Sequence, residues 1–177
     1  MSWFMVDVEA DGPIPGDYSM VELGVVVVRR GTILDTFHGK LRPLPGAKWL
    51  DDALKVVGYS HEHTETFDDP LLVMQQFEEW VRRVNQGNRP MFVSDNNGFD
   101  WGFVNWYLHH FLGRNPFGHS STNLGSLYKG IVRDFSQNFK HLRRTKHTHN
   151  PVDDAMGNAE AMLHMVDNMR LKMSGVE

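Results

Sequence analysis

Residues 3–10 read WFMVDVEA, and this stretch sets the first strand of the fold. Its first six residues are mostly aromatic or β-branched, which predicts a β-strand. A second β-branched run, Met20 to Arg30, and a third run, Ile33 to Leu41, follow it along the chain. Only the short turn Gly31–Thr32 separates these two runs, and neighbours joined by so short a turn pair antiparallel. The sequence therefore predicts an antiparallel start to the sheet.

Later segments alternate helical patterns with one more short strand. This mixture predicts an α/β fold with a mixed sheet, antiparallel at first and then parallel, flanked by α-helices on both faces. One domain is expected over residues 1–175. The predicted segments are a helix at Asp51–Gly58, a loop at His61–Asp69, a helix from Pro70 to Gly87, a strand at Met91–Ser94, a helix that ends at Gly113, a loop at Asn115–Asn123, a helix at Leu124–Phe135 and a last helix that begins at Pro151.

The composition and charge of the chain exclude some kinds of site and constrain how it could bind nucleic acid. The chain has 177 residues, a formal net charge of -4 and no cysteine. Disulfides and thiolate-bound zinc are therefore excluded. No apolar run is long enough to span a bilayer and the N-terminus lacks a secretory pattern, so a cytoplasmic location is expected. Proteins that bind long nucleic acid through its backbone are usually basic, so such a role here must depend on local basic patches or bound cations.

Two carboxylates end the first predicted strand. Strand side chains alternate between faces, so Asp7 and Glu9 are expected to point the same way. Like charges so close together repel each other unless a cation lies between them. The pair indicates either a metal site or a solvated strand end.

Two further carboxylates open predicted helices. Asp100 closes the segment DNNGFD, residues 95–100, where a strand passes into a helix, and sites in open α/β sheets gather at such strand ends. Asp154 closes HNPVDD, residues 149–154, in the first turn of the last helix. Taken singly, each segment is equally compatible with a simple helix cap. Together with the first pair they favour one shared site.

The order and spacing of these segments resemble the DEDDh 3'-5' exonucleases, which have a ribonuclease H-like fold and include oligoribonuclease, ribonuclease T and small bacterial and phage exoribonucleases. Asp7 and Glu9 match the first family motif, Asn96, Phe99 and Asp100 match the second, H-N-x-x-F-D, and His149, Asp154 and Ala155 match the third, H-x-A-x-x-D-A. Three positions depart from the motifs: Ala10, Asp95 and Pro151 stand where threonine, histidine and alanine are common. None of these is a metal ligand in the family, so Asp95→Asn is expected to matter little.

The resemblance implies a catalytic set of Asp7, Glu9, Asp100, His149 and Asp154. The four carboxylates would bind two Mg²⁺ or Mn²⁺ ions, and the histidine would be the general base. The expected substrate is the 3' end of a single-stranded nucleic acid, RNA in particular, and the expected products are nucleoside 5'-monophosphates. Because relatives are often homodimers, a homodimer is expected too, with the helix from Asp100 to Phe111 as a candidate interface.

Substrate contacts are predicted from side-chain type. Aromatic rings can stack on bases and basic side chains can guide phosphates. Trp101 interrupts the apolar face of its helix and is expected to be exposed, whereas the basic segment from Lys140 to Lys146 is either a phosphate-guiding loop or merely a solvated one. The residues predicted to bind substrate are Ala10, Asn96, Phe99, Trp101, Arg143, Arg144 and Lys146.

Two alternatives stay open at this point. The first is a catalytically silent nucleic-acid-binding or interaction module on the same fold, although such proteins typically lose one or more carboxylates. The second is a phosphodiesterase that cleaves a dinucleotide with the same residues.

Overall fold

A computed structural model describes residues 1–173 of the chain. Their strands run in the sheet order β3-β2-β1-β4-β5, with β1, β2 and β3 antiparallel and with β4 and β5 parallel to β1. This is the predicted mixed sheet with helices on both faces. The elements are β1 Ser2–Ala10, β2 Met20–Arg29, β3 Thr32–Lys40, α1 Asp51–Val57, α2 His61–Thr64, α3 Pro70–Asn85, β4 Pro90–Ser94, α4 Asn97–Leu112, β5 Ser121–Asn123, α5 Leu124–Val132, a 3₁₀ turn Lys140–Leu142 and α6 Pro151–Asn168.

The sheet separates two apolar cores. Phe4, Val6 and Val8 of β1 pack on one face with residues of α3 and α4, while Met5 packs on the other face with α6. This follows from the alternation of side chains along a strand, and it explains why β1 is apolar almost throughout. Within residues 1–173, no helix is both long and apolar enough to cross a membrane.

A glycine determines how closely α6 approaches the sheet. Gly24 of β2 is the register partner of Asp7, and a Cβ at this position would lie 2.1 Å from the carbonyl carbon of Pro151. Any larger residue would therefore displace the start of α6. Asn150 caps the helix there, because its side-chain oxygen accepts hydrogen bonds from the backbone N–H groups of Val152 and Asp153 at 3.0 and 3.2 Å.

The structure corrects three predicted segments. The loop predicted at 61–69 contains the short helix α2, whose start is capped by the Ser60 hydroxyl. The loop predicted at 115–123 ends in β5, which is too short to show a strand pattern but pairs with β4. Helix α5 ends at Val132 rather than Phe135, because Arg133 takes a left-handed conformation with φ 59°. The predicted domain end at 175 lies outside the described residues.

Candidate active site

Three carboxylates from opposite ends of the chain meet on the α6 face of the sheet. One carboxylate oxygen each from Asp7, Glu9 and Asp154 lies within 4.8 Å of the other two. The first two come from the end of β1 and share a face because they are two residues apart. The third comes from the first turn of α6, which the close approach at Gly24 brings over β1. The structure thus joins the first and third predicted segments.

Asp100 is the fourth carboxylate, and a backbone hydrogen bond from β1 positions it. It lies in the first turn of α4 and is 1% exposed. The backbone N–H of Val8 donates a hydrogen bond to its Oδ1 at 3.2 Å. Its buried Oδ2 has no hydrogen-bond partner among residues 1–173. One oxygen therefore positions the side chain, and the other is available to a ligand.

Burial and repulsion between like charges raise the pKa values of Asp7, Glu9 and Asp100. Burial raises the pKa of Asp7 well above its ordinary value, and the charges of Asp100, Glu9 and Asp154 raise it further, while Arg143 opposes them. Burial, followed by the charges of Asp154 and Glu22, raises the pKa of Glu9 to about 8. The pKa of Asp100 rises to about 7, mainly through burial. A bound cation would remove this penalty.

The donor set fits a divalent cation. All four side chains offer hard oxygen ligands, which Mg²⁺ and Mn²⁺ prefer. No lysine or arginine in the described part of the chain forms an ion pair with any of the four, and the one nearby pairing is a histidine contact to Asp154. The unpartnered Oδ2 of Asp100 adds a buried acceptor that is also unsatisfied. These residues are therefore suited to hold a divalent metal ion.

Two histidines flank the carboxylates on the loop before α6. His149 is exposed and takes a left-handed conformation with φ 58°. His147 places its Nδ1 2.8 Å from Oδ2 of Asp154, and the two imidazole rings lie 4.3 Å apart between centroids. Sequence reasoning did not single out His147, because histidine is frequent in this region and only His149 has the motif spacing. The role of His149 as general base stays a prediction.

An open cavity lies at the start of α4, where the residues just before Asp100 line it. Its volume is about 580 Å³, and its lining includes the predicted contacts Asn96 and Phe99. Asn123 was missed by the sequence analysis. It ends β5 and donates a hydrogen bond from Nδ2 to the carbonyl of Asp95 at 2.5 Å. The rule that sites gather at the carboxyl ends of parallel strands would have found it, had so short a strand been recognised. The lining residues are Asp95, Asn96, Asn97, Gly98, Phe99 and Asn123.

Three side chains predicted to contact substrate have limited free surface, and their contacts with substrate stay predictions. Trp101 was expected to be exposed but is half-buried against the core, in a T-shaped arrangement with Phe92 at 5.0 Å between ring centroids. Ala10 is buried in the same core. The side chain of Arg143 is only 8% exposed and is bonded to protein groups. Both other basic candidates, Arg144 and Lys146, are exposed, and their contacts with substrate stay predictions.

Comparison with known proteins gives a consistent assignment. Residues 4–162 match the RNase T exonuclease family. The chain is 39% identical over 129 residues to the 3'-5' DNA exonuclease Cap18 of Escherichia coli, which covers 71% of this chain and 67% of that protein. It shares its fold with the nuclease domain of 3'hExo, a DEDDh family member solved with bound rAMP, at a TM-score of 0.76 and 17% identity over 99% of this chain and 97% of that one. It also shares it with cell-death related nuclease 4, at a TM-score of 0.75 and 15% identity over 94% of this chain but only 64% of that protein. From the family match and the carboxylates that meet on the sheet, the chain belongs to the DEDDh 3'-5' exonucleases.

Proposed function

We propose that this chain removes nucleotides from the 3' end of single-stranded nucleic acid and releases nucleoside 5'-monophosphates. The observation that carries the proposal is the meeting of Asp7, Glu9 and Asp154, with Asp100 buried beside them. A binding module has no need to keep four carboxylates together without lysine or arginine partners, two of them buried and two half-buried, because the repulsion destabilises the fold. This cost argues for a catalytic centre rather than a silent one.

The four carboxylates would hold two divalent cations, Mg²⁺ or Mn²⁺. When bound, such ions neutralise phosphate charge, stabilise the leaving group and make water a better nucleophile. The chain contributes rigid ligands: Asp100 is fixed by the N–H of Val8, and Asp154 by the N-terminal turn of α6. The ligand positions therefore come from three elements of regular structure rather than from mobile loops.

His149 would accept the proton of the attacking water. The ordinary pKa of histidine, about 6.5, suits proton transfer near neutral pH. Its neighbours fix the loop: the backbone N–H of Thr148 donates to Oδ1 of Asp154 at 3.3 Å, and Asn150 caps α6. Because the imidazole is exposed, it can pass the proton on to solvent after the reaction. His147 lies against Asp154 and is better placed to orient that ligand than to act as base.

The cavity at the start of α4 would receive nucleotides. Asn96 and Gly98 are exposed at its lining, and a glycine there leaves room for a sugar or phosphate to approach the backbone. Phe99 is half-buried against Phe103, at 4.8 Å between centroids, so only part of its ring is available for stacking. The lining of this cavity contains no lysine or arginine, which suits recognition of the end of a nucleic-acid strand better than of a long strand.

The choice between RNA and DNA remains a prediction, and we give DNA precedence over the RNA expected from sequence. The relative with 39% identity is named a DNA exonuclease, whereas the structure with bound rAMP shares only 17% identity. The discriminating contact would be to the 2'-hydroxyl group, which RNA has and DNA lacks. A homodimer also stays a prediction, which light scattering would test.

The test is a comparison of 5'-labelled strands of one sequence as single- and double-stranded DNA and RNA, with Mg²⁺, Mn²⁺ or a chelator. We expect ladders that shorten from the 3' end and 5'-monophosphate products, only with metal and only from the active protein. Asp7→Asn supplies the inactive control. If purified protein with Mn²⁺ leaves every strand intact, the catalytic proposal is wrong. Exclusive cleavage of a dinucleotide would favour the phosphodiesterase alternative instead.

A further inference from the structure

Asp95 stands directly after β4, at the motif position where the family commonly has histidine. In this chain it is bound by an arginine from a distant segment. Nη2 of Arg143 donates to Oδ2 of Asp95 at 3.2 Å and to Oδ1 of Asn158 at 2.5 Å. Lys140 adds a weaker contact, with its Nζ 3.6 Å from the same Asp95 oxygen. The aspartate is thus neither a helix cap nor a free surface charge.

The arginine is enclosed, and the chain makes room for it. Its side chain is 8% exposed, and its guanidinium lies over the ring of Phe139 at 5.1 Å from the centroid. Gly157 of α6 faces it, and a Cβ there would lie 3.0 Å from Cδ of Arg143. A buried guanidinium is unfavourable unless it is paired, so the carboxylate of Asp95 is what allows it to be there.

The partners of Arg143 lie next to the two helix-borne carboxylates of the catalytic set. Asn158 is four residues after Asp154 on α6, which places both on one face of the helix. Asp95 is five residues before Asp100 and directly follows β4, the strand that leads into α4. The bridge from Asp95 through Arg143 to Asn158 therefore connects the element that supplies Asp100 with the helix that supplies Asp154.

Arg143 also lies just before the histidine loop, which we define as residues 146–150. Immediately after Arg143, the backbone N–H groups of Arg144 and Thr145 donate to Oε2 of Glu160 at 2.8 and 2.7 Å. These hydrogen bonds hold residues 143–145 against α6, and His149 follows shortly after them in the chain. Both ends of the histidine loop are therefore fixed: hydrogen bonds to Glu160 hold its start, and the capped first turn of α6 holds its end.

The bridge is not the arrangement that stability alone would favour. Nε of Arg143 and Nδ2 of Asn158 are buried and have no hydrogen-bond partner among residues 1–173. Buried donors without partners are rare in folded proteins, and an apolar contact would avoid them. The arginine is therefore kept in place by the polar bridge itself rather than by a gain in core stability.

We propose that Arg143, held by Asp95 and Asn158, is a positioning residue that ties α6 and the histidine loop to the end of β4. This inference rests on the proposed function and deepens it, since the bridge sets the distance between Asp154 and Asp100. It also corrects the expectation that Asp95→Asn matters little, because that change removes the counter-charge of a buried arginine.

The experiment uses Arg143→Gln, Arg143→Lys and Asp95→Asn in the full chain. Arg89→Ala is the matched control, because Arg89 is exposed, lies outside the site and contacts β1 through its backbone carbonyl. Outer partners of metal ligands typically change affinity or activity by roughly 10- to 100-fold. We expect Mn²⁺ affinity, measured by calorimetry, and kcat to fall by about that factor in Arg143→Gln, with KM little changed. Arg143→Lys should recover part of the loss, and Arg89→Ala should match wild type.

A second measurement keeps the proposal testable if turnover is absent. Amide exchange of residues 146–150 should speed up in Asp95→Asn, which creates no cavity, and not in Arg89→Ala. If Mn²⁺ affinity and loop exchange are the same in Asp95→Asn and wild type, the positioning role is wrong. If wild type binds Mn²⁺ and Asp95→Asn exchanges faster than wild type, but wild type cleaves no strand, the proposed function is wrong and the positioning role of Arg143 is supported.

Discussion

Glu9 and Glu22 are paired across neighbouring strands, yet only Glu22 has hydrogen-bonding and charged partners in the protein. Glu22 is 2% exposed, and its Oε1 accepts a hydrogen bond from the Tyr59 hydroxyl at 2.8 Å, with Nε2 of His38 at 3.2 Å and Nζ of Lys40 at 3.4 Å. Burial alone would raise the pKa of Glu22, but these partners bring it below the ordinary value. The pKa of Glu9 instead rises to about 8.

The difference shows how a buried structural carboxylate can be told from one that requires a ligand. Glu22 receives its donors and its positive charge from the protein itself, so the folded chain satisfies it. Within residues 1–173 Glu9 has no hydrogen-bond donor and no lysine or arginine partner, so a cation that binds beside it would stabilise its ionised form. Each prediction below changes one side of this comparison.

The largest expected effect is on turnover. Asp7→Asn removes the carboxylate on which the charges of Glu9, Asp100 and Asp154 all act, and should lower cleavage to background. The fold should survive, because the change relieves repulsion and keeps the shape of the side chain. Circular dichroism and a labelled-strand assay measure the two outcomes. Asp17→Asn, at an exposed aspartate, is the control. Substantial turnover in Asp7→Asn would show that the carboxylate set is not the catalytic centre.

The histidine loop should give the next largest effect. If His149 accepts the proton of the attacking water, His149→Ala should lower kcat by roughly 10²–10⁴-fold. His147→Ala should cost less, because His147 contacts a ligand rather than the water. The exposed His119→Ala serves as control. A smaller loss in His149→Ala than in His147→Ala would reverse the two roles, and the pH profile of kcat would show which imidazole titrates.

Long, strongly patterned features of the fold could be predicted from the sequence. β1, β2 and β3 were within a residue or two of their observed bounds, because apolar and β-branched runs extend over their whole length. The start of α6 was also confirmed, because Asn150 and Pro151 are typical of a helix start. By contrast β5 has three residues, and so short a strand exists only through its pairing with β4.

Within the site, residue type was predictable but surroundings were not. The spacing of Asp7, Glu9 and Asp154 indicated one shared site, and the structure brings these three together. The burial of Arg143 was not predictable, since a run of basic residues looks the same whether it faces solvent or turns inward. Its partner Asp95 is 48 positions away, and no local pattern connects the two.

The third prediction concerns stability without metal. Folded-state pKa values raised to about 8 for Glu9 and about 7 for Asp100 mean that the folded state binds protons more tightly than the unfolded one. Stability of the metal-free protein should therefore fall as pH rises from about 4 to about 8. A fixed Mn²⁺ concentration, about 100 times the Kd at about pH 8, should restore about 2.7 kcal/mol at that pH, because only the folded state binds the ion. The same concentration should restore less at about pH 5, where protons compete for the carboxylates. Thermal unfolding with Mn²⁺ or chelator, at about pH 5 and about pH 8, measures both effects. Metal stabilisation that is equal at the two pH values would contradict this reasoning.

The smallest effect tests the comparison most directly, because it makes the same chemical change on both strands. Glu22→Gln keeps an acceptor for Tyr59 but removes the charge that His38 and Lys40 stabilise, so the free energy of unfolding should fall by about 1 kcal/mol with turnover retained. Because the pKa of Glu22 is lowered on folding, its contribution is present above its ordinary value of 4.5 and is lost as pH falls through the lower folded value, so this difference should fade in acid. Glu9→Gln should do the reverse: metal-free stability should increase, more so as pH rises toward about 8, and turnover should be lost. Urea unfolding of both variants across that range measures the signs, and two shifts of the same sign would mean that the neighbouring carboxylates do not differ in the way described.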